Sequence, residues 1–268
     1  MIEEIDFPTT STYGKDVIKR VQVRLLEMAR ETVRVLDSNG FKYFICFGTL
    51  LGAVRHKGFI PWDDDFDMFL FDDEYDDAIA CLRKHLPPNI IVHDRESDPI
   101  YWPAWSRLRD IGSRVHSVQD LDDEAYKYKG INLDLYRIKR VNRGCADLYR
   151  RRENIEFLVR KNTVGLVQKD QYSRMFDEWV TDYTHLLSAK RVCADDVFAF
   201  TVGFKQGEID DILPLQKIMF EGYEFFAPHN IDAVLRHIYG DYMMIPEYSK
   251  RKPHYDRVLF NIKEDDRD

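Results

Sequence analysis

Apolar positions recur at helical spacing over residues 16–38. Ile18, Val21, Leu25, Met28 and Leu36 share one face, and Gly40 offers a left-handed stop. The pattern then shortens. "YFICF" (43–47) is wholly apolar and predicts a strand, and "GTLLGAVRHKG" (48–58) predicts a tight turn into a short helix closed by Gly58. "DFDMFLF" (65–71) alternates as a strand does, and "EYDDAIACLRKHL" (74–86) predicts a helix broken by Pro87-Pro88. Further strands are expected at 89–93, 104–109 and 114–118, and a long one at "INLDLYRIK" (131–139). From Ala146 to about Lys190 the period turns helical, with two helices separated near Gly165 to Asp170. "QKIMFEGYEFFAP" (216–228) predicts a hairpin turning at Glu221-Gly222, and "NIDAVLRHIYG" a helix with Asn230 as cap and Gly240 as stop. These elements together give a mixed α/β chain with a helical addition.

Composition fits a folded, cored protein: 268 residues, 44% apolar and 13% aromatic. A formal net charge of −8 argues against general nucleic-acid binding, although a positive cleft inside an acidic protein stays open. Cys46, Cys81, Cys145 and Cys193 are scattered without a C-x-x-C pair, as buried thiols are. The opening "MIEEIDFPTT" has no apolar core of a secretory signal, and no apolar run reaches the ~18 residues of a membrane span. A cytoplasmic chain without a membrane span is expected, with peripheral contact at the inner membrane face left open.

Candidate chemistry concentrates between Asp63 and Asp77, where nine of fifteen residues are acidic. In a strand, residues two apart share a face, so Asp65 and Asp67 point one way while Phe66, Met68 and Leu70 point into a core. Two carboxylates ~4 Å apart at an effective dielectric near 20 repel by roughly 4 kcal/mol, which calls for a cation, a shared proton or full solvation. An oxygen-seeking ion such as Mg²⁺ answers that need, taking one or two carboxylates and completing its shell with water and phosphate. The plainer alternative is a solvated acidic edge strand. An EF-hand fails, because Met68 stands where the loop requires glycine. Asp72 to Asp77 open a helix, where acids suit the dipole, and carry no assigned chemistry.

In "INLDLYRIK", Asn132, Asp134 and Tyr136 share a face. Asp134 is a third acid that either bridges a second metal, accepts a proton, or simply pairs with an arginine. Upstream, Gly48-Thr49 begins a helix directly after a strand, the arrangement that exposes backbone N–H groups to an anion. Thr49 serves there as cap or phosphate donor. Arg55, His56 and Lys57 either offset the helix dipole or reach a phosphate.

Gly-Thr, then Asp-x-Asp on the next strand, then a lone acid on a later one is the outline of the polymerase-β-like nucleotidyltransferase fold. Within it, "GTLLGAVRHKGFIPWDDDFDMFL" strongly resembles the signature of the LicD family of phosphotransferases, to which fukutin and fukutin-related protein are related. "SRLRDIGS", "INLDLY", "LPLQKIMFEGYEFFAP" and "IYGDYMMIP" extend the resemblance over about residues 43 to 246. The resemblance implies one LicD-type domain over 1–268: a polymerase-β-like core with a mixed sheet, and a mainly helical subregion at about 145–200. It implies transfer of a phospho-alcohol from a CDP-activated donor, CDP-choline favoured over CDP-ribitol or CDP-glycerol, to a sugar hydroxyl of a glycan or lipid-linked saccharide. By position, Asp65, Asp67 and Asp134 would be catalytic and hold Mg²⁺ or Mn²⁺, and Asp63 would join or support them. Gly48 and Thr49 would cradle the diphosphate, with Arg55, Lys57, Arg107 and Arg109 as further phosphate contacts.

A choline donor adds a demand for aromatic faces around a quaternary ammonium, and "YWPAW" (Tyr101, Trp102, Trp105) is the candidate cage, core or rim packing its alternative. A true nucleotidyltransferase releasing pyrophosphate, and a binding relative with dead chemistry, are the rival readings. Ser-His-Asp hydrolysis and zinc sites lack their motifs.

Overall fold

A computed structural model of the chain describes residues 3–6, 15–116, 125–143, 146, 174, 196–200 and 206–262. Strand β1 (Glu3–Asp6) leads to helix α1 (Lys15–Ser38), whose buried stripe is the one its periodicity predicts: Val21, Leu25, Met28 and Leu36 have no exposed surface. Gly40 at φ 77° turns the chain out of the helix. Strand β2 (Tyr43–Ile45) is two residues shorter than the apolar run suggests. Phe47 adopts φ 45° and starts helix α2 (Phe47–His56), placing its ring against Phe69 and Tyr136.

The end of α2 differs from expectation. Lys57, at φ 63°, takes the left-handed position and donates its N–H to Gly52 O. Gly58 instead makes room for a neighbour: a Cβ there would lie 2.2 Å from Glu221 Oε1.

Strand β3 (Asp67–Phe71) is buried along its whole length, so Asp65 lies in the segment entering it rather than in the strand itself. Helix α3 (Tyr75–His85), strands β4 (Ile90–His93), β5 (Ser106–Asp110) and β6 (Ser113–His116), and the eleven-residue β7 (Asn132–Asn142) follow. Next is β8 (Asp196–Phe200), a strand within the last residues of the subregion of about 145–200 expected to be mainly helical. The rest of that helical reading lies outside the described residues, Ala146 and Arg174 excepted. Strand β9 (Gly207–Glu208), helix α4 (Ile209–Ile212), the hairpin β10 (Gln216–Phe220) and β11 (Tyr223–Ala227), helix α5 (Ile231–Tyr239) and β12 (Arg257–Phe260) complete the order. The hairpin turns at Glu221-Gly222, both at positive φ, as read from the sequence.

The fold is mixed α/β. A sheet ordered β2-β3-β7-β5-β4 continues through β8, which pairs with β7, and β9. Within it β3 and β7 run parallel, while β2, β5 and β8 are antiparallel to their neighbours. A smaller sheet, β1-β12-β6, joins the two ends of the chain. Phe59, Phe66, Phe220 and Phe225 pack edge to face and lock the hairpin beneath the acidic segment. Among the described residues Cys46 and Cys81 are free thiols, and no helix is long and apolar enough to cross a membrane.

Candidate active site

The parallel pairing of β3 with β7 sets Asp67 directly opposite Asp134, and the next ladder sets Arg107 opposite Asp134. Residues opposite one another share a face, so an acid, an acid and a base cross the sheet in one row. Asp67 and Asp134 are both buried. Asp134 Oδ1 accepts from Trp105 Nε1 at 2.7 Å and Arg107 Nε at 2.8 Å, and its Oδ2 accepts from Asn132 Nδ2 at 3.3 Å. Asp67 has no such support: its Oδ1, like Asp65 Oδ1, is buried and meets no hydrogen-bond donor.

Backbone contacts aim these acids. The Asp67 N–H donates to Thr49 Oγ1 at 2.9 Å, so α2 fixes where β3 begins. Gly48 lies against Asp63, and a Cβ at this glycine would come within 2.9 Å of Asp63 Oδ2. Asp64 points away into the protein. With no exposed surface, it accepts from His254 N (2.8 Å), from Tyr255 N (2.9 Å) and faces His254 Nδ1 (3.0 Å). His254 Nδ1 also lies 3.5 Å from Asp65 Oδ2.

Crowding the acids together has an electrostatic consequence. Burial, then the Asp65 and Asp64 charges, push the Asp63 carboxyl well above the ordinary range. Burial, then Asp65 and Asp134, do the same to Asp67, and burial raises Asp65 against a partial offset from His254. His254 rises to about 10, chiefly through its hydrogen bond to Asp64, with the Asp65 charge adding to it. Carboxylate oxygens without donors, held at raised proton affinity, form an all-oxygen donor set that suits a hard divalent cation. Asp63, Asp64 and His254 also bring ligand atoms within 4.8 Å of one another, but the hydrogen bonds already on Asp64 make it an anchor rather than a free ligand.

Asp63, Asp65 and Asp67 form one wall of a cleft of about 660 Å³. Gly48 and Arg55 line it from α2, and Tyr239, Tyr242, Met244, Lys250, Lys252 and His254 line it from the C-terminal part of the chain. Arg55, Lys250, Lys252 and His254 thus line the same cleft as the acids, together with Asp241 and Glu247.

A family model described as "LicD/FKTN/FKRP, nucleotidyltransferase domain" matches residues 40–182. The chain belongs to this LicD/FKTN/FKRP family. The lipopolysaccharide cholinephosphotransferase LicD of Haemophilus influenzae is 22% identical over 228 residues, 80% of this chain and 86% of that protein. An uncharacterized Rickettsia typhi protein is 40% identical over 142 residues, half of this chain and 43% of its own length. Human ribitol 5-phosphate transferase FKRP is 47% identical over 47 residues, only 10% of its length.

Against that family background, the residues singled out from the sequence fall into distinct places. Asp63, Asp65, Asp67, Gly48 and Arg55 meet at the cleft, and Asp134 adjoins them through the β3–β7 ladder. Arg55 donates to the carbonyls of Tyr242 and Met244. Thr49 is buried and its oxygen is taken by Asp67 N–H, while Cys46, not Thr49, holds the cap position of α2. Arg107 is paired with Asp134, and Arg109 is fully buried, bound to Gly130 O and Asn132 Oδ1; neither is among the residues lining the cleft. Lys57 is exposed at the end of α2.

The aromatics of "YWPAW" take the alternative to a cage, core or rim packing. Tyr101 is 2% exposed and packs on His93 and Tyr126, so it has no open face to offer a cation. Trp102 lies beside Tyr126 in the same cluster, and Trp105 is committed to Asp134 and Tyr136. Asp64, Lys250, Lys252 and His254 were not foreseen. The three basic residues are distant in sequence from the acids, and Asp64 reads as one more member of an acidic run.

Proposed function

We propose that the chain moves a phospho-alcohol from a CDP-activated donor onto a sugar hydroxyl of a cell-surface glycan, with CMP leaving. Phosphocholine from CDP-choline is the favoured case. One observation carries the reading: Asp65 Oδ1 and Asp67 Oδ1, buried and without donors, belong to residues that line a cleft also lined by Arg55, Lys250 and Lys252. Several carboxylates, some of their oxygens without donors, and cations lining one cleft fit a diphosphate bound together with a metal.

Asp65 and Asp67 would hold Mg²⁺ or Mn²⁺, with Asp134 as third acid and Asp63 joining or supporting them. The bound metal would neutralise phosphate charge and orient the diphosphate. Arg55, Lys250 and Lys252 bind and orient the remaining phosphate oxygens. The cleft positions the acceptor hydroxyl in line with the phosphorus that carries the alcohol. A new P–O bond forms to the acceptor as the bond to CMP breaks, and the hydroxyl proton passes to a carboxylate of the cluster. The parallel pair β3–β7, entered from the Gly48 helix, supports a polymerase-β-like core. Similarity to a cholinephosphotransferase over 80% of the chain favours choline over the ribitol phosphate handled by a relative that matches 18% of it.

Calorimetric titration of CDP-choline, CDP-ribitol, CDP-glycerol and CTP, with and without Mg²⁺ or Mn²⁺, tests the reading. Metal-dependent binding of one CDP-alcohol is expected, lost in Asp65→Asn/Asp67→Asn, with turnover in that variant down roughly 10²-fold or more. Preference for CTP with pyrophosphate as product would convert the assignment to a nucleotidyltransferase. A folded protein that binds none of the four would overturn it.

A further inference from the structure

Among the described residues nine large hydrophobic side chains are exposed, and five of them (Tyr239, Met243, Met244, Ile245, Tyr248) fall within ten consecutive residues. Single exposed apolar residues are ordinary on a protein surface; five gathered on one segment form a patch. The segment is not a loose tail. Arg55 Nη1 donates to Tyr242 O and Met244 O, and Arg251 Nε donates to Pro246 O while its guanidinium lies over Trp62 and Tyr248. Two arginines therefore hold its carbonyls inward, and Met243, Met244 and Ile245 remain 54%, 70% and 51% exposed.

Five residues past Ile245 come three consecutive basic residues, Lys250-Arg251-Lys252, with both lysines exposed; the exposed acids Asp241 and Glu247 leave the segment a small positive balance. In a chain of net charge −8, basic residues set beside a methionine-isoleucine tip and flanked by two tyrosines form a local exception. Apolar side chains enter the acyl boundary, aromatic rings settle at headgroup level, and lysines meet anionic headgroups. The same segment borders the cleft, since Tyr239, Met244, Ile245 and Lys250 line its mouth.

We propose that residues 239–252 dock the protein on an anionic lipid surface, with the mouth of the cleft turned toward the bilayer. An acceptor carried on a lipid would then reach the acids without leaving the membrane. Delivery of an acceptor rests on the phosphotransferase reading, whereas insertion of Met243 and Tyr248, which do not line the cleft, is tested without it.

Flotation of the full chain with phosphatidylcholine vesicles, with and without phosphatidylglycerol, tests the proposal. Wild type is expected to float with the anionic vesicles and to be released by salt. Met243→Ser/Tyr248→Ser is expected to bind roughly tenfold more weakly, because membrane binding scales with the apolar area inserted. Its thermal midpoint and donor binding should be unchanged, since neither side chain lines the cleft. Lys250→Gln and Lys252→Gln should each weaken vesicle binding by roughly fivefold. Equal flotation with neutral vesicles, no flotation, or undiminished flotation of the Met243/Tyr248 variant would each overturn the proposal. So would a concentration-dependent dimer abolished by the same variant without vesicle binding, which would assign the patch to contact between copies.

Discussion

Asp63, Asp65 and Asp67 hold protons more tightly in the folded chain than unfolded carboxylates do, because burial and mutual repulsion disfavour their charge. His254 does the same for a different reason, with Asp64 and Asp65 stabilising its imidazolium and lifting it to about 10. Both effects carry one sign. A group whose proton affinity rises on folding favours the folded state at low pH, and that advantage is lost as pH climbs through the raised value. For the carboxylates the loss begins above their ordinary value of 3.8; for His254 it runs from 6.5 to about 10. The His254 side chain is 55% exposed, so solvent screens part of its share. The thermal midpoint of metal-free protein in EDTA is therefore expected to fall between pH 6 and pH 9. Mg²⁺ or Mn²⁺ should reduce the fall by supplying the missing counter-charge. Scanning calorimetry at several pH values checks this, and a midpoint that rises with pH would contradict the electrostatic account of the cluster.

At the scale of elements, Asp64 ties the segment before β12 to the segment before β3. Its carboxylate accepts backbone N–H groups of His254 and Tyr255, 190 and 191 residues away. Tyr255 in turn donates through its hydroxyl to Asn132 Oδ1, and Asn132 donates to Asp134. One anchor thus supports both the acid entry and the third acid. Asp64→Ala leaves the buried Tyr255 N–H and the partly buried His254 N–H without their acceptor and is expected to destabilise the fold by about 3 kcal/mol. Hydrogen exchange should locate the opening at residues 251–256; uniform exchange with unchanged stability would remove Asp64 from this role.

The same element explains what the sequence reveals and what it hides. Helices α1, α3 and α5 and the β10–β11 hairpin announce themselves, because their buried stripes and turn residues are local. Asp67 and Asp134 are legible as acids on two strands, whereas Asp65 lies in the segment entering β3 and the grouping of the three comes from the family resemblance. Strands β1 and β12 pair Glu3 with Phe260, and no local pattern carries that information. Arg107 and Trp105 became partners of Asp134 through register between β5 and β7, which the sequence does not state. Asp64 looks like its neighbours until its partner at position 254 is seen.

Across the whole molecule the cleft is assembled from two stretches far apart in sequence. The family match over residues 40–182 contains Gly48, Asp63, Asp65, Asp67 and Asp134, whereas the wall from Tyr239 to His254 lies beyond it. The 47 residues aligned with FKRP are too few to include both walls. The acids and the two lysines therefore reach the cleft from separate stretches of the chain. This division separates the two walls kinetically. If Lys250 and Lys252 grip phosphate oxygens while the acids act at the reacting centre, Lys250→Ala/Lys252→Ala should raise KM for the CDP-alcohol about tenfold or more, the worth of charge-assisted hydrogen bonds, and leave kcat within a few fold. Asp65→Asn/Asp67→Asn should do the reverse and act mainly on kcat. Steady-state kinetics with saturating Mg²⁺ or Mn²⁺ distinguishes them. A collapse of kcat with unchanged KM in the lysine variant would move those residues from donor binding to the reacting centre, and would make the C-terminal wall part of the catalytic apparatus.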